Sequence, residues 1–308
     1  MPEGFRIVLA PVAGYGFVEA LSAVDGVIEV ATPLLDEVGA ALSGIEVLVA
    51  FQWNDEWLVP GLRWIQSVSA GTDQFPLDAL RDAGIVLTSA VGIHDVQVSE
   101  HAFALLLALT RGIGASVRNQ TKRVWEWPSV VDLSGMTLGV LGLGVIGEAV
   151  AQRAKAFGMR VLGTKRSVDG YSGFADEVFG PDETLGVFRR SDAVIVTLPG
   201  TPETAGVVGV EELGALAGGF FINVGRGSVV DESALIEVLR SGGLSGAGLD
   251  VFGEEPLPKD SPLWSMPNVI ITPHLAGTSP RYGERLAELF SRNVAAFRGK
   301  GEWINRVV

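Results

Sequence analysis

The segment Gly142-Leu143-Gly144-Val145-Ile146-Gly147 limits the fold of this chain more than any other feature of its sequence. It follows the apolar, strand-like run 137–141 and opens a helix-like segment, 146–157, that stops at Gly158. In this context the first glycine permits a tight turn, the second lets backbone approach a pyrophosphate, and the third lets the helix pack on the strand. The helix N-terminus then presents N–H groups to the anion. A glycine turn can also join a strand to a helix without a ligand, but the complete unit favours a dinucleotide.

Strand-like runs alternate with helix-like segments on both sides of this motif. Before residue 95, strands are predicted at 6–10, 47–51, 64–69 and 85–88, with helices at 33–42 and 77–83. From residue 137, strands are predicted at 138–141, 160–163, 193–198, 220–224, 246–250 and 269–272. Continuous apolar strands separated by helices are typical of parallel sheets that are covered on both faces.

Two further helices decide the predicted domain organisation. One spans 98–111, between the two halves, and the other spans 282–298, after the last strand. The second helix is surplus to a nucleotide fold, so we expect it to pack on the first half. The predicted fold class is α/β, with two doubly wound parallel-sheet domains. A Rossmann nucleotide-binding domain, 96–278, is inserted into a discontinuous, flavodoxin-like substrate domain of residues 1–95 and 279–308.

Composition excludes several classes of function. The chain has no cysteine, which excludes disulfides, zinc–thiolate sites and a cysteine nucleophile, and its three histidines disfavour a histidine-rich metal site. The net charge of −13 argues against a nucleic-acid or anionic-membrane partner. The longest apolar run, 102–109, is too short to span a bilayer, and 7–10 lacks the flanks of a signal peptide. We expect a cytoplasmic protein without a metal.

Polar residues follow three predicted strands of the second half. Arg226 lies in a glycine-flanked turn, and His274 follows the last strand. Asp250 closes the strand between them, and the chain then leads to Glu255. Because ligands bind beyond the carboxyl ends of parallel strands, these side chains should converge near the nucleotide. Carbonyl reduction needs such a set, because a guanidinium can bind the substrate carboxylate, a second group can donate a proton, and a third can tune that donor. Each residue alone could be an ordinary surface or loop residue.

With these motifs the chain resembles the D-isomer-specific 2-hydroxyacid dehydrogenase family, which includes glyoxylate/hydroxypyruvate reductases and phosphoglycerate dehydrogenase. The resemblance covers essentially the whole chain and rests on 69–73, 98–101, 142–147, 198–204, 223–228, 250–256 and 272–277. It implies reversible, NAD(P)H-dependent reduction of a small 2-oxoacid to a D-2-hydroxyacid. It also implies a split substrate domain, an inserted nucleotide domain, and a homodimer built largely through the nucleotide domains.

The resemblance assigns the catalytic roles. Arg226 would bind the substrate carboxylate and keto oxygen, and His274 would donate a proton to that oxygen. Glu255 would bond His274 and favour its protonated form. Glu254 is a rival carboxylate, but the family places its glutamate directly before the proline, which selects Glu255.

Binding roles follow in the same way. Ala70, Gly71 and Thr72 would offer backbone N–H groups to the substrate carboxylate, as an anion nest does. Asp250 would hold the nicotinamide carboxamide, and Thr204 would contact the phosphate or ribose side of the cofactor. Besides the glycine motif, the resemblance places Leu198, Pro199, Val224, Gly225 and Gly277 against the cofactor.

The cofactor is predicted from the end of the strand 160–163. An NAD enzyme of this fold carries Asp or Glu there to bond the ribose 2′-OH, whereas this chain reads Thr164-Lys165-Arg166-Ser167. Cations and a hydroxyl suit a 2′-phosphate. We therefore expect NADP(H) to be preferred and NAD(H) to be possible. Asp169, several residues further on, is the counter-argument, and a solvated basic turn that tolerates both cofactors is the alternative.

Other readings of the sequence remain open. A dinucleotide-sensing, corepressor-like module keeps the same residues, and only turnover separates it from an enzyme. Formate dehydrogenase-like hydride abstraction is disfavoured by Glu255, because those relatives pair their histidine with glutamine. A phosphorylated substrate is disfavoured because 51–54 carries no cation.

The remaining histidines and two tryptophans are assigned to packing. His94 is predicted to have a structural loop role, and His101 to be a packed interface histidine. Trp125 and Trp127 are predicted to pack in a core or a dimer interface rather than to contact substrate.

Overall fold

The computed structural model describes residues 4–11 and 16–308, and it divides the chain into two units. The first unit comprises the described residues up to His94 together with Thr278–Val308. The second is continuous and runs from Asp95 to Gly277. Each unit is built on its own parallel sheet, as the sequence predicts.

The first unit contains five parallel strands, β1 (Phe5–Leu9), β2 (Val27–Ala31), β3 (Val47–Ala50), β4 (Trp64–Ser67) and β5 (Val86–Thr88). Their spatial order, β2-β1-β3-β4-β5, is that of flavodoxin-like folds. The helices are α1 (Phe17–Ser22), α2 (Val38–Ala41), α3 (Leu77–Asp82), the 3₁₀ turns Leu35–Glu37 and Asp55–Trp57, and a C-terminal helix, Tyr282–Phe297.

The C-terminal helix packs on the first unit. Its Leu286 and Phe290 are buried in the same cluster as Ile7 and Trp64, and the Phe290 ring stacks on the Trp64 ring at 4.5 Å. His94 is buried here too, with Nε2 2.8 Å from the Tyr282 hydroxyl. These contacts support the structural role predicted for His94.

The second unit contains seven parallel strands, β6 (Thr137–Leu141), β7 (Arg160–Thr164), β8 (Glu177–Phe179), β9 (Ala193–Val196), β10 (Phe220–Asn223), β11 (Gly246–Leu249) and β12 (Val269–Ile271). Their order is β12-β11-β10-β9-β6-β7-β8. The chain reverses its direction of winding between β6 and β9, and a ligand crevice is expected at such a point. The seven strands give the Rossmann order with one extra strand.

Helices cover both faces of this sheet. They are α4 (Asp95–Thr110), α5 (Ile113–Lys122), α6 (Val145–Ala156), α7 (Thr184–Arg189), α8 (Val210–Ala215) and α9 (Glu232–Arg240), with 3₁₀ turns at Pro181–Glu183, Gly227–Val229 and Pro262–Ser265. One apolar cluster packs α7, α8 and α9 on one face, and a second packs α4 and α6 on the other. Both faces of the sheet are covered by helices, which explains the continuous apolar strands.

Four elements were not predicted from the sequence. The strands β2 and β8 lie at sheet edges and each carries a glutamate, so neither forms a continuous buried run. The helix α5 buries no residue, and α1 has only six residues. The segment 33–42, predicted as one helix, is a 3₁₀ turn followed by α2. Short or exposed elements lack the apolar periodicity on which prediction depends.

In the part of the chain that the structure describes, no helix combines the length and apolar character needed to cross a membrane. Within the same residues, no group of three or more acidic or histidine side chains is arranged to hold a metal ion. Trp125 and Trp127 are 96% and 90% exposed, so they do not pack in a core of this chain.

Candidate active site

The glycine motif forms the turn between β6 and α6, and two of its three glycines are required by the local structure. Gly142 has φ 98°, a conformation that favours glycine. A Cβ on Gly147 would lie 2.1 Å from the Gly142 carbonyl oxygen, so only glycine lets α6 approach the strand. Gly144 has an extended backbone, and a Cβ there would enter open space at the start of α6. Among the described residues, no contact requires glycine at 144.

The backbone of Gly142 and Leu143 is held by residues that follow β6 by more than twenty positions. The N–H groups of Gly142 and Leu143 donate to Thr164 Oγ1 (3.1 Å) and to the Thr164 carbonyl (2.8 Å). The Gly142 carbonyl accepts from Thr197 Oγ1 (2.8 Å), and the Leu143 carbonyl accepts from Lys165 Nζ (2.5 Å). The N–H and carbonyl groups of Gly142 and Leu143 are therefore all hydrogen-bonded by residues at or just after the ends of β7 and β9. Thr197 was not predicted from the sequence, and Thr164, which was predicted to lie at the cofactor, also bonds the backbone of the turn.

The residues predicted to select NADP over NAD, 165–167, lie in the turn after β7. The Lys165 N–H donates to the Phe179 carbonyl (2.9 Å), so the unpredicted strand β8 fixes the start of this turn. Arg166, Ser167 and Asp169 follow with exposed side chains. The turn thus presents a guanidinium and a hydroxyl to solvent beside the glycine motif, whereas the lysine amine is directed to the Leu143 carbonyl.

The loop after β9 contains Leu198, Pro199 and Thr204. Leu198 packs on the glycine turn, since a Cβ on Gly142 would lie 2.9 Å from its Cδ2. Thr204 Oγ1 donates to the Pro199 carbonyl (2.5 Å) and accepts from the Thr201 N–H (2.9 Å). The hydroxyl of Thr204 thus shapes its own loop, and its predicted contact with the cofactor stays a prediction.

Arg226 is carried by a turn that buried polar groups hold in place. Asn223, buried at the end of β10, donates from Nδ2 to the Arg226 carbonyl (3.0 Å) and accepts the Gly225 N–H (3.1 Å). A Cβ on Gly227 would lie 1.9 Å from the Phe252 carbonyl carbon, so the Arg226 turn and the segment after β11 touch through backbone. The guanidinium of Arg226 is half-buried, and its Nη1 donates to the Gly225 carbonyl (2.9 Å).

Asp250 lies at the end of β11 and is 1% exposed. Its carboxylate accepts from Thr272 Oγ1 (2.5 Å) and from the N–H groups of Leu275 (3.0 Å) and Ala276 (2.9 Å). His101 Nε2 lies 3.5 Å from Asp250 Oδ1 and 2.9 Å from Thr272 Oγ1. Burial opposes ionisation of Asp250, but the hydrogen bonds outweigh it and hold its pKa below the usual range. The structure therefore makes Asp250 the anchor of the loop 272–276. The predicted contact with the nicotinamide carboxamide stays a prediction.

His274 and Glu255 lie within ion-pair distance of each other at the same edge of the sheet. His274 Nδ1 lies 2.7 Å from Glu255 Oε2, and Glu255 Oε1 accepts the Phe252 N–H (2.9 Å). His274 has φ 49°, a strained conformation for a residue with a Cβ, and its N–H donates to the Asp250 carbonyl (2.9 Å). Both side chains are partly exposed. The pair therefore holds an imidazole at the surface with Nδ1 engaged, as a proton-transfer site requires.

The predicted substrate loop belongs to the first unit and follows β4. Ser69 Oγ donates to the Gly71 carbonyl (2.5 Å) and accepts from Gln74 Nε2 (3.1 Å). The Phe75 N–H donates to the Thr72 carbonyl (3.1 Å). These bonds use carbonyl groups of the loop, and Ala70, Gly71 and Thr72 are all partly exposed. Gly277, also predicted at the site, accepts from Gln97 Nε2 (3.2 Å) at the end of the second unit.

The second unit brings together most of the predicted residues, because β6, β7, β9, β10, β11 and β12 are parallel and end at one edge. The residues present fit a dinucleotide. Gly144 leaves open space before α6, and the first N–H groups of a helix have no partner within it. A site with these groups can hold a pyrophosphate, a carboxylate at Arg226 and a proton donor at His274.

The chain is similar to known proteins over most of its length. Residues 103–276 match the family model described as D-isomer specific 2-hydroxyacid dehydrogenase, NAD binding domain. Glyoxylate reductase of Korarchaeum cryptofilum is 36% identical over 258 residues, which are 79% of this chain and 75% of that protein. Glyoxylate/hydroxypyruvate reductase B of Pectobacterium carotovorum is 39% identical over 71% of each chain. The crystal structure of an NADPH-dependent glyoxylate/hydroxypyruvate reductase of Sinorhizobium meliloti with NADP and malonate is similar with TM-score 0.84 and 29% identity, covering 99% of this chain and 97% of that one.

Proposed function

The chain belongs to the D-isomer specific 2-hydroxyacid dehydrogenase family, and from this membership we propose that it reduces a small 2-oxoacid to the D-2-hydroxyacid. One observation carries the proposal for this chain. The 2.7 Å contact between His274 Nδ1 and Glu255 Oε2 holds an imidazole at the sheet edge that carries the glycine turn and Arg226. The proposed reaction is reversible.

The mechanism assigns one task to each residue. When bound, the nicotinamide cofactor supplies the hydride that reaches the keto carbon. Arg226 binds the substrate carboxylate and the keto oxygen, for which a planar guanidinium is suited. His274 donates the proton from Nε2 to that oxygen, and Glu255 stabilises the imidazolium before transfer. Backbone N–H groups of Ala70, Gly71 and Thr72 contribute to binding the substrate carboxylate.

We propose NADPH as the preferred cofactor and NADH as a poorer one. Arg166 and Ser167 are exposed at the end of β7, where an enzyme specific for NAD carries an acidic residue. The comparable structure from Sinorhizobium meliloti is described as NADPH-dependent. A homodimer is proposed from the family resemblance alone.

The substrate class is proposed from the end of β3. The segment 51–54 carries no cation, and Phe51 is exposed there. A phosphorylated side chain would find no counter-charge in this segment. Glyoxylate, hydroxypyruvate and 2-oxoacids with branched or aromatic tails are the proposed substrates.

A panel of 2-oxoacids assayed with NADPH and with NADH tests the proposal. We expect steady turnover of several unphosphorylated 2-oxoacids, a higher kcat/KM with NADPH, and poor use of hydroxypyruvate phosphate. Tight cofactor binding without turnover of any 2-oxoacid would favour the dinucleotide-sensing module. A phosphorylated oxoacid that outperforms the others would contradict the substrate class.

A further inference from the structure

Two cations follow β7, and the structure places their side chains differently. Lys165 Nζ donates to the Leu143 carbonyl at 2.5 Å, and its side chain is half-buried. Arg166 is exposed. From the sequence both residues were expected to bind the 2′-phosphate of NADP. Their different placement separates the two roles.

The Leu143 carbonyl is one of the four backbone polar groups of Gly142 and Leu143, and all four are bonded. Three of the four, the two N–H groups and the Gly142 carbonyl, are bonded by Thr164 and Thr197. The amine of Lys165 bonds the fourth. Without the Lys165 amine, the Leu143 carbonyl loses a charged donor, and the glycine turn loses its bond to this side chain. A charge-assisted bond of this kind is about twice as strong as a neutral one.

We propose that Lys165 is a positioning residue for the glycine turn, serving NADPH and NADH alike, and that Arg166 alone of the two cations discriminates the 2′-phosphate. The inference rests on the proposed cofactor function. Its physical basis is that a pyrophosphate is common to both cofactors, whereas only one carries the 2′-phosphate. A residue that holds the turn therefore changes both affinities by the same factor.

Calorimetric titration of the purified protein with NADPH and with NADH separates the two roles without use of activity. Lys165→Met keeps the chain length but removes the donor and the charge. We expect it to weaken both affinities about ten-fold, the scale of one hydrogen bond from a charged donor, with the NADPH/NADH ratio unchanged within two-fold. Lys165→Gln keeps a donor without the charge, and it should recover most of both affinities.

Two matched variants complete the test. Arg166→Ala should lower the NADPH/NADH affinity ratio about ten-fold. Lys155→Met removes a lysine of the same unit whose amine bonds Asp176, and it should alter neither affinity. Circular dichroism of each variant establishes that it is folded.

The outcomes are distinguishable. If Lys165→Met or Lys165→Gln weakens NADPH binding alone, Lys165 reads the phosphate and the inference is overturned. Unchanged affinities in Lys165→Met overturn it as well. A parent protein that binds neither cofactor overturns the proposed function, and this inference with it.

Discussion

At the scale of single residues, the contact between His274 and Glu255 determines which imidazole nitrogen can reach a substrate. Nδ1 is engaged at 2.7 Å, which directs Nε2 to the reaction. The positive φ of His274 is held by bonds from its N–H to the Asp250 and Thr272 carbonyls. Strain of this kind persists where surrounding structure over-determines it, and it is common at functional sites.

Replacement of His274 tests proton transfer. His274→Asn should lower the turnover of a 2-oxoacid about 10²–10⁴-fold, the usual range for loss of a general acid. Affinity for NADPH, measured by calorimetry, should stay close to that of the parent protein. Turnover that is unchanged in this variant would contradict the mechanism.

Replacement of Glu255 tests the partner of the imidazole. In Glu255→Gln, Nδ1 of His274 keeps a neutral partner but loses the charged one that lies at 2.7 Å. Because a hydrogen bond to a charged group is stronger than a neutral one, kcat for reduction of a 2-oxoacid should fall about ten-fold, while affinity for NADPH stays close to that of the parent protein. An unchanged kcat would contradict a role for the charge of Glu255.

At the scale of elements, the site depends on two contacts between loops. One is the close backbone approach at Gly227, which joins the Arg226 turn to the segment after β11. The other is the set of hydrogen bonds that hold 272–276 to Asp250. His101 of α4 lies 3.5 Å from the Asp250 carboxylate. The proposed catalytic residues are therefore supported by strand ends, as precise positioning requires.

Gly227→Ala should separate the two loops. The added methyl group meets backbone of Phe252 at 1.9 Å, which cannot move as a side chain can. We expect destabilisation of about 1–3 kcal/mol, typical of overpacking, together with a large loss of kcat/KM.

A matched control for that variant is Gly186→Ala. Gly186 lies in α7, with open space around its Cβ position, so alanine there should be neutral or slightly stabilising. Denaturant unfolding and activity assays of both variants provide the comparison. Equal stability of the two variants would contradict the steric argument.

Asp250 gives a pH-dependent prediction. Its pKa in the folded state is lower than in the unfolded chain, so its contribution to stability is present above about pH 4 and is lost as the pH falls through the folded-state value. Asp250→Asn should lower the free energy of unfolding by about 1–3 kcal/mol at neutral pH, because the carboxamide replaces one of the two acceptor oxygens with an N–H donor that cannot accept from the buried donors around it. The difference from the parent protein should shrink below about pH 4. A difference that does not vary with pH would contradict the assignment of the charge.

At the scale of the whole molecule, α5 and the segment after it expose an apolar surface. It consists of Ile113, Val117, Val124, Trp125 and Trp127. Exposed apolar patches of this kind mark protein interfaces. We expect this surface to lie in the homodimer that the family resemblance implies.

The two tryptophans provide the test of that interface. Trp125→Ser with Trp127→Ser should weaken the dimer, measured by sedimentation velocity over a range of concentrations. Trp264→Ser, which removes another exposed tryptophan of the second unit, should leave it unchanged. A double variant that dimerises like the parent would place the interface elsewhere.

The sequence by itself determined the two parallel-sheet halves and the glycine turn, and it predicted Arg226, Glu255 and His274 after the strands of the second half. These depend on local periodicity, on glycine spacing and on motifs a few residues long. Only the tertiary structure decided where the polar groups point. Lys165 meets a carbonyl 22 positions earlier, Thr197 meets one 55 positions earlier, and His101 meets Thr272 across 171 positions. Edge strands such as β2 and β8 were likewise decided by pairing rather than by apolar content. No local pattern encodes a hydrogen-bond partner that distant, because the packing of the sheet brings the two together.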